Sequence, residues 1–408
     1  MYRNLKNINS GFVRDVNTNL VLNTIRQQKM ISRSDLARIT KLSYPTVAKI
    51  IKDLTNEGFV SEAQIGEFLG GRKPMLSKFN PDSRYVIGLD LSGKNVQAVL
   101  ADLDGNFISE IVVGSDLSAE TDLTQVTMEV INELTVQTGL CHEKLIGIGA
   151  SLRGSFDLPN KLFYYAESGA VPVRLLEGLE ENYQVPIVMD HISNIALRAE
   201  KLYGVAGDAV NASYINVDSG VSAGLMINTQ IYQGSLGNAG EFGHISIEDN
   251  EEICPDCGRR GCLENMASVY AILEAARREN LALPVGDYIY QQLKSVGEQA
   301  QAGNPKAKKC FEKAIWGLGE GIVDLINLLN LELVILGGRV IMAYPAMVEE
   351  IRNIVLQQCW PFSKQNLKVV SASLSKNLLL QGAISLVLDE VFFPYGIDVN
   401  KTMFIPKT

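Results

Sequence analysis

Cysteine is scarce in this chain, six residues in 408, and histidine is scarcer still at three. No uninterrupted apolar run approaches the roughly 18 residues of a membrane-spanning helix, so a membrane partner is not expected. The start of the chain, MYRNLKNINSGFVRDVNTNL, lacks the apolar core of a signal peptide. These absences point to the cytoplasm, where thiols stay reduced. A disulfide framework is then disfavoured, and clustering among the few cysteines reads as metal ligation. Hydrophobic residues at 46% and charged residues at 20% suit a soluble globular protein, and the length calls for two or three domains.

Charge is unevenly spread. Residues 1–80 hold 13 Lys+Arg against 6 Asp+Glu, a balance of +7, while the remainder holds 24 against 40, a balance of −16. A basic head on an acidic body directs only the head toward a polyanion.

Helical patterning fills that head. In NTNLVLNTIRQQ, Leu20, Val21, Leu22 and Ile25 lie on or near one stripe. Ser32 or Ser34 then caps a short helix carrying Leu36, Ala37 and Ile39, which Thr40-Lys41-Leu42 ends. Ser43 caps another, with Pro45 in the first turn, where a missing N–H costs nothing. Val47, Ile50, Ile51 and Leu54 form its buried face, and Gly58 stands where a helix stops. The apolar pair Phe59-Val60 follows, and Gly70-Gly71-Arg72-Lys73-Pro74 reads as the tip or return of a hairpin. This order is that of a winged helix-turn-helix over residues 1–80, with double-stranded DNA as partner. Arg33, Lys49, Arg72 and Lys73 are expected to meet phosphates, which give affinity without sequence information. Ser43, Tyr44 and Thr46, at the start of the recognition helix, are expected to face base edges, with packing as the alternative for Tyr44. Residues 1–16 read as a flexible arm.

After Pro81 strands and helices alternate. RYVIGLDLSGKNVQAVLADLDG and SYINVDSGVSAGLMINTQIYQG share one form, two apolar strands with Ser-Gly at the tip (Ser92-Gly93, Ser219-Gly220). Two ordinary hairpins would look alike; a duplicated hairpin with a small-residue loop is also the layout of a two-lobed, actin-like (ribonuclease H-like) sugar kinase/ATPase body. There, paired loops close around nucleotide phosphates. The expected lobes are 81–195, completed by about 380–408, and 196–379, both α/β. The nine-residue stretch CPDCGRRGC brings Cys254, Cys257 and Cys262 together, with His244 ten residues upstream of the first. Three thiolates and an imidazole form a tetrahedral zinc set, and Gly258 and Gly261 permit tight turns.

These residues resemble the ROK family of repressors, open reading frames and sugar kinases, across nearly the whole chain. Its pattern E-x-G-H followed by C-x-C-G-x-x-G-C-L-E is matched by Glu241-Phe-Gly-His244 and by Cys257-Gly-Arg-Arg-Gly-Cys262-Leu-Glu264. One departure is the spacing: the family has one residue between the first two cysteines, whereas Cys254 and Cys257 enclose two, so a larger loop is needed. The resemblance implies that Glu241, His244 and Glu264 line a sugar site and that the zinc is a structural staple for the loop carrying them. In the family's kinases the proton acceptor lies in E-N-D-x-N; anchored on Asn194 and Glu200, this chain reads Asp190-His191-Ile192-Ser193-Asn194, with Ile192 at the acceptor position. His191 and Asn194 then join the sugar-site candidates. A slipped register would instead put Asp190 in the acceptor role.

The phosphate loops depart as well. The family's D-x-G-G-T-K appears as Asp90-Leu-Ser92-Gly93-Lys94-Asn95, and its G-T-G-x-G-x-G as Asp218-Ser219-Gly220-Val-Ser222-Ala-Gly224. Asp218 adds negative charge beside a triphosphate position, and Ser92 and Ser222 add Cβ atoms where backbone approaches closely. The resulting expectation is a non-enzymatic regulator: a repressor of carbohydrate uptake or catabolism genes, a homodimer or higher even oligomer, released from its operator by a sugar or sugar phosphate. Its rivals are a sugar kinase with an accessory DNA-binding head and a repressor governed by a protein partner.

Overall fold

The structure is a computed structural model that describes residues 10–64, 75–93, 95–114, 122–157, 160, 162–165, 172–248, 252–286, 288–374 and 377–392. The head opens with α1 (Ser10–Gln28), β1 (Met30–Ser32), α2 (Arg33–Thr40) and α3 (Tyr44–Asn56), then β2 (Val60–Gln64) and β3 (Met75–Phe79). Ser32 is the cap of α2: its side chain accepts from the Asp35 amide, and the helix ends at Lys41 in the left-handed conformation, φ 58°. Ser43 caps α3 by accepting from the Thr46 amide, with a proline in the first turn. The three strands pair antiparallel in the order β1-β3-β2, which makes β2 and β3 the arms of a wing. Its tip, including Arg72 and Lys73, lies outside the described residues. Helix α1 begins at Ser10, earlier than the expected arm allows; Arg14 joins Asp53 of α3 at 2.9 Å, and the Thr18 hydroxyl donates to the Arg14 carbonyl.

The body repeats one sheet. Its first half contains β4 (Tyr85–Asp90), β5 (Asn95–Asp102), β6 (Phe107–Gly114), α4 (Leu123–Thr138) and β7 (Leu145–Leu152). These are followed by β8 (Gly154–Asp157), β9 (Leu162–Tyr165), β10 (Pro172–Val173), α5 (Leu175–Tyr183), β11 (Ile187–His191) and α6 (Ile192–Tyr203). The second half has β12 (Ala212–Val217), β13 (Val221–Ile227), β14 (Gln230–Ile231), α7 (Glu264–Ala267), α8 (Val269–Arg278), α9 (Ile289–Gln301) and α10 (Pro305–Leu329). It closes with β15 (Leu333–Gly337), α11 (Arg339–Ala343), α12 (Met347–Gln358), β16 (Lys368–Ser371) and α13 (Leu378–Phe392). The sheet orders are β11-β7-β4-β5-β6 and β16-β15-β12-β13-β14. In each, a hairpin of three antiparallel strands is extended by two parallel ones. The two Ser-Gly tips therefore occupy equivalent places, and the body is a duplicated α/β unit rather than a run of unrelated hairpins.

Helix α13 returns to the first half and packs on β4 and β7, as well as on α6. Gly149 is where it comes nearest: a Cβ there would lie 2.0 Å from the Ala383 carbonyl oxygen. Helix α6 touches both sheets, so a lobe boundary at 195/196 falls inside a continuous helix that both lobes share. One apolar cluster runs from Val21, Ile51 and Phe79 of the head into Val86, Leu388 and Phe392, giving head and first lobe a common core. Among the described residues no helix is long and apolar enough to cross a membrane.

Candidate functional site

The recognition helix presents what its capping and periodicity require. Val47, Ile50, Ile51 and Leu54 are at most 4% exposed, which turns Tyr44 (54% exposed) and Lys49 outward. With that exposure, packing does not account for Tyr44. The hydroxyls of Ser43 and Thr46 are 2.8 Å apart, so the capping pair is partly engaged with itself. Arg33 turns away from the expected phosphate role: its guanidinium pairs with Glu62 on β2, because α2 packs its first turn against the sheet.

The cysteine loop is a tight knuckle. Gly258 and Gly261 both have φ 71°, and a Cβ on Gly261 would sit 1.7 Å from the Glu248 carbonyl oxygen. Bridges Ser246↔Cys262 and Ile253↔Arg260 hold its arms, and the Cys254 amide donates to the Arg259 carbonyl at 2.7 Å. The ligand atoms of His244, Cys254, Cys257 and Cys262 all lie within 4.8 Å of one another. His244 Nδ1 is 3.7 Å from Cys254 Sγ, and the Cys257 and Cys262 sulfurs are 3.5 Å apart. A zinc–thiolate bond of about 2.3 Å gives tetrahedron edges near 3.8 Å, so the donor set matches zinc in type and in spacing. The extra residue between Cys254 and Cys257 is absorbed by the turn, which leaves Cys254 within the set.

The same loop delivers the carboxylates. Glu264 opens α7, and its Oε2 accepts from the Val221 amide at 2.8 Å, where β13 leaves the second Ser-Gly loop. Gly220 and Gly243 make room for it, since a Cβ at either would stand 2.9 Å from that oxygen. Burial pushes the Glu264 carboxyl up to about 7, with the Asp256 and Glu241 carboxylates adding and the Val221 amide opposing. Glu241 reaches solvent at its rim, and desolvation by the cleft walls raises its carboxyl against the pull of His244. His244, Asp256 and Glu264 also come within 4.8 Å of one another, so the imidazole sits between the thiol set and the acidic groups.

On the first lobe, β11 ends in Asp190 and His191, just before α6. His191 caps α6 by accepting from the Ser193 amide, and burial, helped by Arg153, drives its pKa down to about 4. It is therefore neutral, and with Nδ1 accepting from Ser193 its Nε2 carries the proton and donates. Asn194 departs from expectation: it is 1% exposed and donates to Asp190 Oδ1 at 2.7 Å, beneath the cleft rather than lining it. Asp190, 2% exposed, has both oxygens engaged, by the His191 amide and Asn194 on one and by Gln233 at 3.0 Å on the other. Ile192 begins α6 at the acceptor position.

Three further residues join the two lobes. Arg153, just past β7, reaches Ser219 of the second loop, while Asn238 clamps β8, accepting from the Phe156 amide and donating to its carbonyl, both at 2.7 Å. Gln233 starts the loop that carries Asn238 and Glu241. A charged residue straight after the fully buried strand β7 was the one available signal for Arg153. The two loops expected to face phosphates make contacts of their own: Asp90 Oδ1 takes both the amide and hydroxyl of Ser92, and Asp218 meets Arg339 at 3.6 Å. The Arg339 guanidinium in turn stacks 3.7 Å above the Tyr290 ring.

Comparison with known proteins fits this geometry. The ROK family model matches residues 86–390, and a winged helix-turn-helix DNA-binding model matches residues 14–61. The chain belongs to the ROK family. It is 28% identical over 378 residues to the xylose repressor of Bacillus subtilis (strain 168), covering 93% of this chain and 96% of that one. It is likewise 28% identical over 388 residues to the N-acetylglucosamine repressor of Escherichia coli O157:H7, covering 93% and 94%. A crystal structure of a ROK family transcriptional regulator, a homolog of the E. coli MLC protein, superposes with a TM-score of 0.80 at 23% identity, over 93% of this chain and 96% of that one. That likeness confirms the order of winged head and two-lobed body along the chain.

Proposed function

We propose that this ROK protein is a sugar-responsive transcriptional repressor of carbohydrate uptake or catabolism genes. One observation carries the reading: a recognition helix with exposed Tyr44 and Lys49 shares a hydrophobic core with a kinase-like body whose proton-acceptor position is Ile192. An isoleucine accepts no proton, and Asp190 is buried with both oxygens already engaged, so phosphoryl transfer lacks its general base. Asp218 and Arg339 fill the phosphate loop with a pair of their own, which opposes triphosphate binding.

Glu241, Glu264, His191 and His244 are the groups for carbohydrate hydroxyls, since carboxylates and neutral imidazoles give directional partners. A zinc held by His244, Cys254, Cys257 and Cys262 would fix the loop that carries Glu241, His244 and Glu264; it would supply rigidity and ligand orientation rather than a reaction. The operator is read by a homodimer or higher even oligomer, because one winged helix spans few base pairs and twofold symmetry doubles them. Lys49, with Arg72 and Lys73 in the wing, meets phosphates; Tyr44, with Ser43 and Thr46, meets base edges. The effector acts through unequal affinity for the DNA-competent and DNA-incompetent arrangements.

The test measures the affinity of the full chain for an operator it selects from a random duplex library, with and without xylose, N-acetylglucosamine and their phosphates. One of these is expected to weaken DNA binding by about tenfold or more, and Glu264→Gln to abolish the response without loss of DNA binding. ATP-dependent phosphorylation of any of them by the purified chain overturns the proposal.

A further inference from the structure

The cleft and the head are joined by a short set of polar contacts centred on Arg198 of α6. Its Nη1 donates to Asp389 Oδ2 on α13 at 3.0 Å, while its Nε stands 4.0 Å from Asp190 Oδ2. That Nε is buried and makes no hydrogen bond among the described residues. Asp190 Oδ2 is held instead by Gln233, which begins the loop bearing Asn238 and Glu241. One helical turn beyond Asp389 is Phe392. Its ring meets Phe79 edge-on at 6.0 Å and lies under the Arg26 guanidinium at 4.4 Å, and its carbonyl accepts from Asn23. Arg26 and Asn23 belong to α1 of the DNA-binding head.

We infer that Arg198 passes effector occupancy to the head by moving between two carboxylates, Asp389 when Gln233 holds Asp190 and Asp190 when Gln233 withdraws. This rests on the proposed effector reading and names its means of regulation. The physical basis is a competition with two discrete outcomes. In the arrangement seen, Gln233 holds Asp190 Oδ2 in an orientation 4.0 Å from Arg198 Nε, which leaves one buried donor unmatched, a state that is penalised. Withdrawal of Gln233, as the loop shifts on ligand binding or release at Glu241, lets the Asp190 carboxylate turn toward Arg198. Arg198 then closes a gap of about 1 Å to reach hydrogen-bond distance and satisfies its Nε, loosening its hold on Asp389. Because α13 is a rigid helix sharing its core with α1, the change at Asp389 is delivered at Phe392. Coupling between distant sites needs such a two-state element biased by both. Arg198 is thus a positioning residue, touching neither sugar nor DNA.

The experiment compares the wild-type full chain with Arg198→Met, Gln233→Leu and the double variant. Sugar affinity is read by calorimetry with xylose and N-acetylglucosamine, DNA affinity by anisotropy on the selected operator with and without sugar, and folding by thermal melting. The expected result is a DNA response that falls from about tenfold to under about threefold in each single variant, with sugar affinity retained within about threefold. The double variant is expected to add no further loss, since both residues act on one oxygen. Gln233 lies in a half-exposed loop, so Gln233→Leu carries the test if Arg198→Met fails to fold. A full response surviving both substitutions overturns the inference alone, as does parallel loss of sugar affinity. A wild-type chain whose DNA affinity no sugar alters overturns the effector reading, and the inference with it.

Discussion

The two lobes share a strand order and differ in how they are fastened. The first is held by apolar packing: α13 lies across β4 and β7, and its end, Phe392, is buried at 5% exposure against the head. The second carries a long excursion between β14 and α7 in which four possible metal ligands, His244, Cys254, Cys257 and Cys262, come together. The difference separates two tasks. An apolar seam transmits a shift between rigid bodies, because close-packed cores resist continuous deformation. The excursion in the second lobe buries Phe242 and Leu263 in that lobe's own core, so a metal there would add a point fixture to packing.

The strongest way to break this contrast is to remove the fixture. Elemental analysis of the full chain is expected to find about one zinc per chain, and Cys262→Ser to hold under roughly a tenth of that, with a lowered melting temperature and lost sugar binding. Equal metal content in both would leave the second lobe fastened by packing, like the first. Next in size is the seam. Phe392→Ala removes a buried ring from the joint core and is expected to cost about 3–5 kcal/mol, splitting one unfolding transition into two in denaturant titrations. A single transition at unchanged midpoint would mean that the head is merely tethered.

Smaller effects belong to the surface of the head. Tyr44→Ala is expected to lose about 1–3 kcal/mol of discrimination between operator and random duplex, with stability unchanged because the ring is exposed. Lys49→Ala is expected to weaken all duplexes alike and to flatten the slope of log affinity against log salt by about 0.9. The smallest effect at neutral pH concerns His191. Its depressed pKa means that folding favours the neutral ring, a contribution present above pH 6.5 and lost as pH falls toward 4. Proton resonances of only three histidines make this readable, and titration of His191 near 6.5 would show its ring to be solvated.

Local chemistry was legible where one residue's role follows from its neighbours. Ser43, Pro45 and the 47-50-51-54 stripe announce α3, and Gly258 and Gly261 announce the turns of the metal loop, because capping, proline and positive φ are short-range constraints. Roles set by distant partners were not legible. Arg33 reads as a phosphate ligand until Glu62 is seen beside it, and Asn194 reads as a cleft residue until Asp190 claims its amide. Arg153, Gln233 and Asn238 carry no motif at all, yet each bridges the lobes across the cleft.

By itself the sequence determined a basic capped head, a duplicated hairpin and a thiol–imidazole set. The caps, each hairpin and the thiol–imidazole set depend on spacing within a few tens of residues. Only the tertiary structure decided that α6 serves both lobes, that α13 welds the first lobe to the head, and that Arg198 stands between two carboxylates 199 positions apart, Asp190 and Asp389. Such contacts depend on how whole sheets and helices pack, and no local pattern along a chain encodes which far residue will arrive.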